Sequence, residues 1–244
     1  NDFGLAYEMG FEAYVEQNPD VVAEYLPVRH DPAAPTLTNE VTTIAAFDPD
    51  VFISMTAGNP CLLAIQEVEA SGLYDRLDAA FTPSVCKGIA AYLAPAGMAA
   101  DGYWIVGGGA KDTTDSGKMD EPFIAFARDL ISDAGEDPSI SLTGEGVFRG
   151  YAFTEAFRIA DALPGGMSRT NLMLALRNFK IYHPGLLDGL VTELKGNSDA
   201  YFVEGSEYSQ FDAENQTWVM VGDVVDANGG TPNCRWDKAN GGCR

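Results

Sequence analysis

Apolar and polar positions alternate along the chain in a rhythm of short apolar runs and longer helical stripes. Leu5, Met9 and Ala13 fall on one stripe and predict a helix over 5–17, and the apolar run at 21–28 predicts a strand. Leu37, Val41, Ile44 and Ala45 predict a helix over 37–46. An uncharged run at 51–55 then reads as a strand covered on both faces. It stops at the small residues Thr56, Ala57 and Gly58, after which a helix is predicted over 60–71. In that reading Asn59 is the N-cap and Pro60 occupies the first helical position, where its missing N–H costs nothing. A strand near Phe81, a helix over 89–93 and a strand over 103–106 continue the alternation. These steps predict an α/β class with a doubly wound parallel sheet.

The rhythm breaks at Gly107, Gly108 and Gly109, followed by the polar stretch KDTTDSGK. Three helices come next, over 121–134, 145–162 and 169–178, with no strand between them. Such helices must form a bundle or cover a sheet supplied from elsewhere. Strands return at 187–191, 201–204 and 218–222, with FDAENQTW reading as a hairpin turn.

Composition narrows the functional classes. A chain of 244 residues with net charge −21 carries its acids along its whole length. Such a surface repels nucleic-acid phosphates and anionic lipid, so neither is an expected partner. No apolar run approaches the roughly 20 residues needed to span a bilayer.

Cys61 falls in the first turn of a helix and Cys86 just after the next strand, so neighbouring parallel strands bring both to one sheet edge. Cys234 and Cys243 close a short loop. Two disulfides are expected, with free thiols or zinc as alternatives; the spacing fits no zinc finger, and neither a metal nor a cofactor is expected. Two bridges imply an oxidising compartment.

The sequence holds no GxSxG elbow and no phosphate loop ending in GKS or GKT. GEGVFRG has one residue too many for a dinucleotide fingerprint. His30 and His183 sit close before a proline in predicted loops and read as solvated side chains, and Glu204 with Glu207 reads as an acidic strand edge, with a glycosidase pair as the alternative. An enzyme is therefore not expected.

The stretches NDFG, FDPDVFI, EASGL, GYAFTEAFRIADAL, RTNLMLALRNF and FDAENQTW, in this order and spacing, resemble the type I periplasmic solute-binding proteins of ABC importers, the branched-chain amino-acid-binding group. The resemblance implies a two-lobed fold with its opening first-lobe segment missing. Residues 1–108 would be the second lobe, 109–180 a hinge crossing and helices returning to the first lobe, and 181–244 the crossing back and closing strands. It implies an extracytoplasmic monomer, periplasmic or anchored at the cell surface, that captures a small solute by hinge closure and presents it to a membrane permease. A ligand sensor of the same fold is the alternative, and a doubly wound α/β enzyme is a less favoured one. Phe3, the turn Thr56, Ala57 and Gly58, and Ser84 match positions that hold ligand in that group, and Phe148 and Tyr151 fall near its cleft edge. Ser84 stands where the amino-acid binders place an acid against the ligand's ammonium group. Serine cannot neutralise a buried cation, so an amide, a carboxylate or an aromatic solute is expected in place of a free amino acid.

Overall fold

The computed structural model describes residues 1–196 and 198–229, together with the backbone of two short strands, Trp236–Asp237 and Gly242–Cys243. In chain order its principal elements are α1 (Asp2–Gln17), α2 (Thr38–Phe47), β1 (Val51–Ile53), α3 (Asn59–Ala70), β2 (Ala79–Pro83), β3 (Trp104–Val106), α4 (Pro122–Asp133), α5 (Ser141–Ala162) and α6 (Arg169–Arg177). They are followed by β4 (Lys180–Ile181), β5 (Thr192–Glu193), β6 (Gly205–Ser206), β7 (Tyr208–Asp212), β8 (Thr217–Met220) and β9 (Val225–Asp226). The chain forms two compact units. The first comprises 1–107, 114–117 and 208–221, the second 108–113, 118–207 and 222–244.

The first unit is built on a five-stranded sheet of order β1-β2-β3-β7-β8. β1, β2 and β3 run parallel, with Phe52 opposite Ala80 and Thr82 opposite Ile105. β7 and β8 form the hairpin foreseen around FDAENQTW and join antiparallel to β3, so the sheet is mixed. Leu37 and Val41 of α2, Ala64, Ile65 and Val68 of α3, and Phe52, Ile105, Phe211 and Trp218 of the sheet share one core. Each large side chain fully buried in this way contributes roughly 1.5–3 kcal/mol. Asp115 fastens the hairpin through hydrogen bonds from the Thr217 hydroxyl and the Trp218 N–H.

The 21–28 segment forms no strand, contrary to its apolar pattern. A strand needs partners for its main-chain N–H and C=O groups, and among the described residues the strand beside β1 is β2. Asn59 is not the cap: Gly58 holds that position at φ 68° and ψ −141°, Asn59 is the first helical residue, and no side chain caps the helix. Pro60 does sit in the first turn. The 89–93 helix is a single wide turn followed by short helical pieces to Ala100.

In the second unit α5 packs against both α4 and α6. The Ser168 hydroxyl caps α6 by accepting from the Asn171 N–H at 3.1 Å. The strands here are two-residue ladders, β4 with β5 and β6 with β9. Of the later strands expected from the sequence, 187–191 forms none, contributing a single main-chain bond from Leu187 to Gly109. The 201–204 run is likewise irregular, and pairing starts at Gly205.

Candidate functional site

Two features fix the turn at the carboxyl end of β1. The first is hydrogen bonding: Ser54 N–H extends the β1–β2 ladder to the Phe81 carbonyl at 2.9 Å, and the buried hydroxyls of Ser54 and Thr56 lie 2.8 Å apart. The second is covalent. A Cys61–Cys86 disulfide ties the first turn of α3 to the turn at Ser84–Cys86 that follows β2, with its Cα atoms 5.6 Å apart. Thr56 Oγ1 lies 3.7 Å from Cys86 Sγ, so the hydroxyl turn rests on the bridge. Gly58 adopts a backbone conformation essentially reserved for glycine, and nothing lies within 4 Å of where its Cβ would stand. The turn is therefore anchored on one side and open on the other. The Cys61 N–H bonds the Gly58 carbonyl at 3.0 Å, and Pro60 has no N–H.

The carboxyl end of β2 completes this edge. Ser84, half-buried, begins the helical turn that carries Cys86, so the disulfide holds Ser84 in the same region as the Thr56 turn. Neither position carries an acid. Phe3 lies in the first turn of α1, which Asn1 caps by accepting from the Gly4 N–H at 3.2 Å, and packs edge-on to Tyr7. Phe3, Thr56 and Ala57 line a cavity of about 840 Å³ that also follows residues 47–55 and the 21–30 segment. Gly58 and Ser84 lie outside its lining.

Phe148 and Tyr151 belong to the second unit, where they meet on one buried imidazole. The ring centroids of Phe148, Tyr151 and Phe123 lie 4.0, 5.0 and 5.9 Å from that of His183. Gly185 N–H donates to His183 Nδ1 at 3.1 Å, which leaves Nε2 to donate to the Phe148 carbonyl at 3.0 Å. A side chain at Gly185 would meet Phe123 at 2.6 Å and Phe148 at 2.8 Å, so only glycine closes the turn over the ring. Burial pushes the His183 pKa down, against the bond to Phe148, which favours the charged form. His183 is thus no solvated loop side chain: 3% exposed, it is the centre of an aromatic cluster. Glu207, read as an acidic edge residue, is also buried and accepts from the Gly109 N–H at 2.7 Å. In both cases the pairing comes from residues far away in sequence, where a local reading finds no signal. Only the Pro184–Gly185 pair hints at a tight turn beside His183.

Cys234 and the Cys243 side chain lie outside the described residues. Among the described residues no group of three or more His, Cys, Asp and Glu could hold a metal ion, and no helix is long and apolar enough to cross a membrane. The strand-end turn offers the Ser54 and Thr56 hydroxyls and nearby apolar surface.

No protein-family model matches the chain, and no curated protein does. Solved structures do. A branched-chain amino-acid ABC transporter protein from Thermus thermophilus with bound valine is 15% identical, at TM-score 0.64 over 78% of this chain and 49% of its own. A solute-binding protein of an ABC transporter from Rhodopseudomonas palustris HaA2, in complex with p-hydroxybenzoic acid, is 13% identical, at TM-score 0.68 over 91% and 57%. An amino-acid ABC transporter substrate-binding protein from Pseudomonas fluorescens Pf-5 is 14% identical, at TM-score 0.66 over 100% and 60%. The likeness shows the fold: mixed α/β, of the type I periplasmic binding-protein kind, of which the chain fits a carboxyl-terminal portion. The chain spans about half the length of these structures.

Proposed function

We propose that the chain is part of an extracytoplasmic solute-binding protein of an ABC importer, and that it holds one end of a small carboxylate or aromatic solute at the Thr56–Gly58 turn. The observation that carries this reading is the turn itself. It lies at the carboxyl end of parallel strands, where ligands of open α/β sheets bind, and combines a fixed hydroxyl pair with an open glycine. The solved neighbours of this fold include one with bound valine and one with p-hydroxybenzoic acid. Ser84 in place of an acid favours a solute without a free ammonium group. Ser84 and Phe3 are the other contacts within the first unit. Capture shifts a population of hinge states: moving from 1:99 to 99:1 needs about 5.5 kcal/mol of differential affinity. Gly107, Gly108 and Gly109, where the chain leaves the first unit, act as a hinge, and the loaded monomer is presented to a permease. The protein binds without turning its solute over.

Calorimetric titration with p-hydroxybenzoate and with valine tests the reading. Saturable binding of the aromatic acid, weaker binding of valine, and at least tenfold loss of affinity in Gly58→Ala are expected. Equal binding by Gly58→Ala, or chemical conversion of the solute, would overturn it.

A further inference from the structure

The chain enters the second unit through residues 108–113, and main-chain bonds hold this segment to a tight turn at 183–187. Lys111 N–H donates to the Gly185 carbonyl at 2.9 Å, and Leu187 N–H donates to the Gly109 carbonyl at 2.9 Å, on either side of an antiparallel bridge between Ala110 and Leu186. The Lys111 ammonium group also donates to the Pro184 carbonyl at 3.4 Å. The turn closes on itself through Leu186 N–H to the His183 carbonyl at 3.0 Å and Gly185 N–H to His183 Nδ1 at 3.1 Å. Gly185 thus holds the imidazole with its N–H and the entering segment with its carbonyl.

Only the neutral ring can accept from Gly185. On protonation Nδ1 gains a hydrogen aimed at the Gly185 N–H, so two buried donors meet with no acceptor between them. The ring is the less movable partner. Phe123, Phe148 and Tyr151 stand around it, and Nε2–H stays on the Phe148 carbonyl in either charge state. Gly185 has no side chain to anchor it, so the turn gives way. Titratable and charged groups on the surrounding elements are the Tyr151 phenol and Arg149 on α5, Glu121 just before α4, Lys111 on the entering segment and Tyr182 next to His183. Arg149 is paired with Glu145, and Glu121 with Lys111 and Lys118. The imidazole's partners among the described residues are both main-chain groups, so no carboxylate bonds the charged ring.

We propose that His183 is a pH-operated latch: its neutral ring keeps the 183–187 turn closed on the entering segment, and its protonation opens the turn and releases Gly109 to Lys111 from it. Histidine is the side chain whose ordinary titration falls between pH 5 and 8. Burial keeps the closed ring's pKa below the 6.5 of an open one, so protons drive opening as the pH falls below 6.5. By that linkage the open fraction rises by at most about 30-fold at pH 5.

The test is amide exchange by NMR at Lys111, Gly185 and Leu187 in the folded protein, as protection factors corrected for intrinsic exchange, between pH 7.5 and 5. Ordinary carboxylates stay ionised over that range. Protection at all three should fall at least fivefold, while that of Phe211, whose N–H bonds Tyr103 in the first unit, changes less than twofold. His183→Gln cannot take up the proton and should hold the three amides at constant protection over the same range. The ring nitrogens give a readout that needs no variant of His183: at pH 7.5 their shifts should report a neutral ring with its hydrogen on Nε2, and His30→Gln tells the two histidines of the chain apart. The proposal is overturned by pH-independent protection in the wild-type protein, by an equal fall at Phe211, by a fall that survives in His183→Gln, or by a ring already charged or carrying its hydrogen on Nδ1 at pH 7.5.

Discussion

The two units solve the same problem with different means. In the first unit α2 and α3 turn their apolar stripes onto a five-stranded sheet, and Ile65, Val68 and Leu73 vanish into one core with Phe52 and Ile105. In the second unit the strands among the described residues are two-residue ladders. Phe126 and Leu130 on α4, and Phe153 and Phe157 on α5, each pair spaced to share one helix face, remain exposed. An amphipathic helix draws its stability from the surface opposite its stripe. The first unit shows what that surface supplies, and the second shows the helices without it. α1 is the exception within the first unit, burying nothing beside an open sheet edge.

The comparison breaks most sharply at the Cys61–Cys86 bridge. It closes a loop of 25 residues in the first unit, worth about 3.5 kcal/mol by chain entropy. Reduction or Cys86→Ser should lower the first unit's stability by that order and leave amide exchange in α4 to α6 unchanged. Gly58→Ala comes next, with a backbone cost of about 1–3 kcal/mol read by chemical denaturation, together with the loss of solute affinity.

Acid separates the units in the other direction. The folded-state pKa of His183 lies below its ordinary value of 6.5, so the unfolded chain takes up the proton first. The stability due to neutral His183 is present above pH 6.5 and falls as the pH drops below it. Protonation also removes the acceptor for Gly185 N–H. Amide protection factors, corrected for the intrinsic pH dependence of exchange, should fall more in α5 than in α3 between pH 7.5 and 5, and His183→Gln should flatten that difference. Smaller still is the doubly substituted Phe126→Ser, Phe157→Ser protein. It should bind much less of an apolar-surface dye while its stability stays within about 0.5 kcal/mol, as for other exposed positions. The smallest effect is at Tyr103, whose buried hydroxyl bonds no described residue while its ring stacks on Tyr74 at 5.2 Å. Tyr103→Phe should leave the unfolding midpoint unchanged or raise it slightly.

Much of the first unit was legible in the sequence because its signals are local. The uncharged run at β1, the Pro60 turn and the FDAENQTW hairpin each state their element within a few residues. The Cys61–Cys86 bridge followed from parallel neighbours alone. The 21–28 run carried the right composition but no partner, and strand composition cannot form a strand without one. At Asn59 side-chain preference pointed to the cap, whereas the backbone needed the freedom of Gly58. His183 and Glu207 were misread because burial by helices and strands distant in sequence decides the state of both. Of the candidate site, the strand-end turn was readable locally, whereas Phe3 and Ser84 came from the family resemblance, and of these two Phe3 lines the cavity and Ser84 does not. The setting of Phe148 and Tyr151 around a histidine could not.

The most direct test is amide NMR of the protein titrated with p-hydroxybenzoate. Solute capture at the strand-end turn predicts saturable shifts at Thr56, Ala57, Gly58 and Ser84 that Gly58→Ala abolishes. Shifts confined to other residues, or none at millimolar solute, would contradict it.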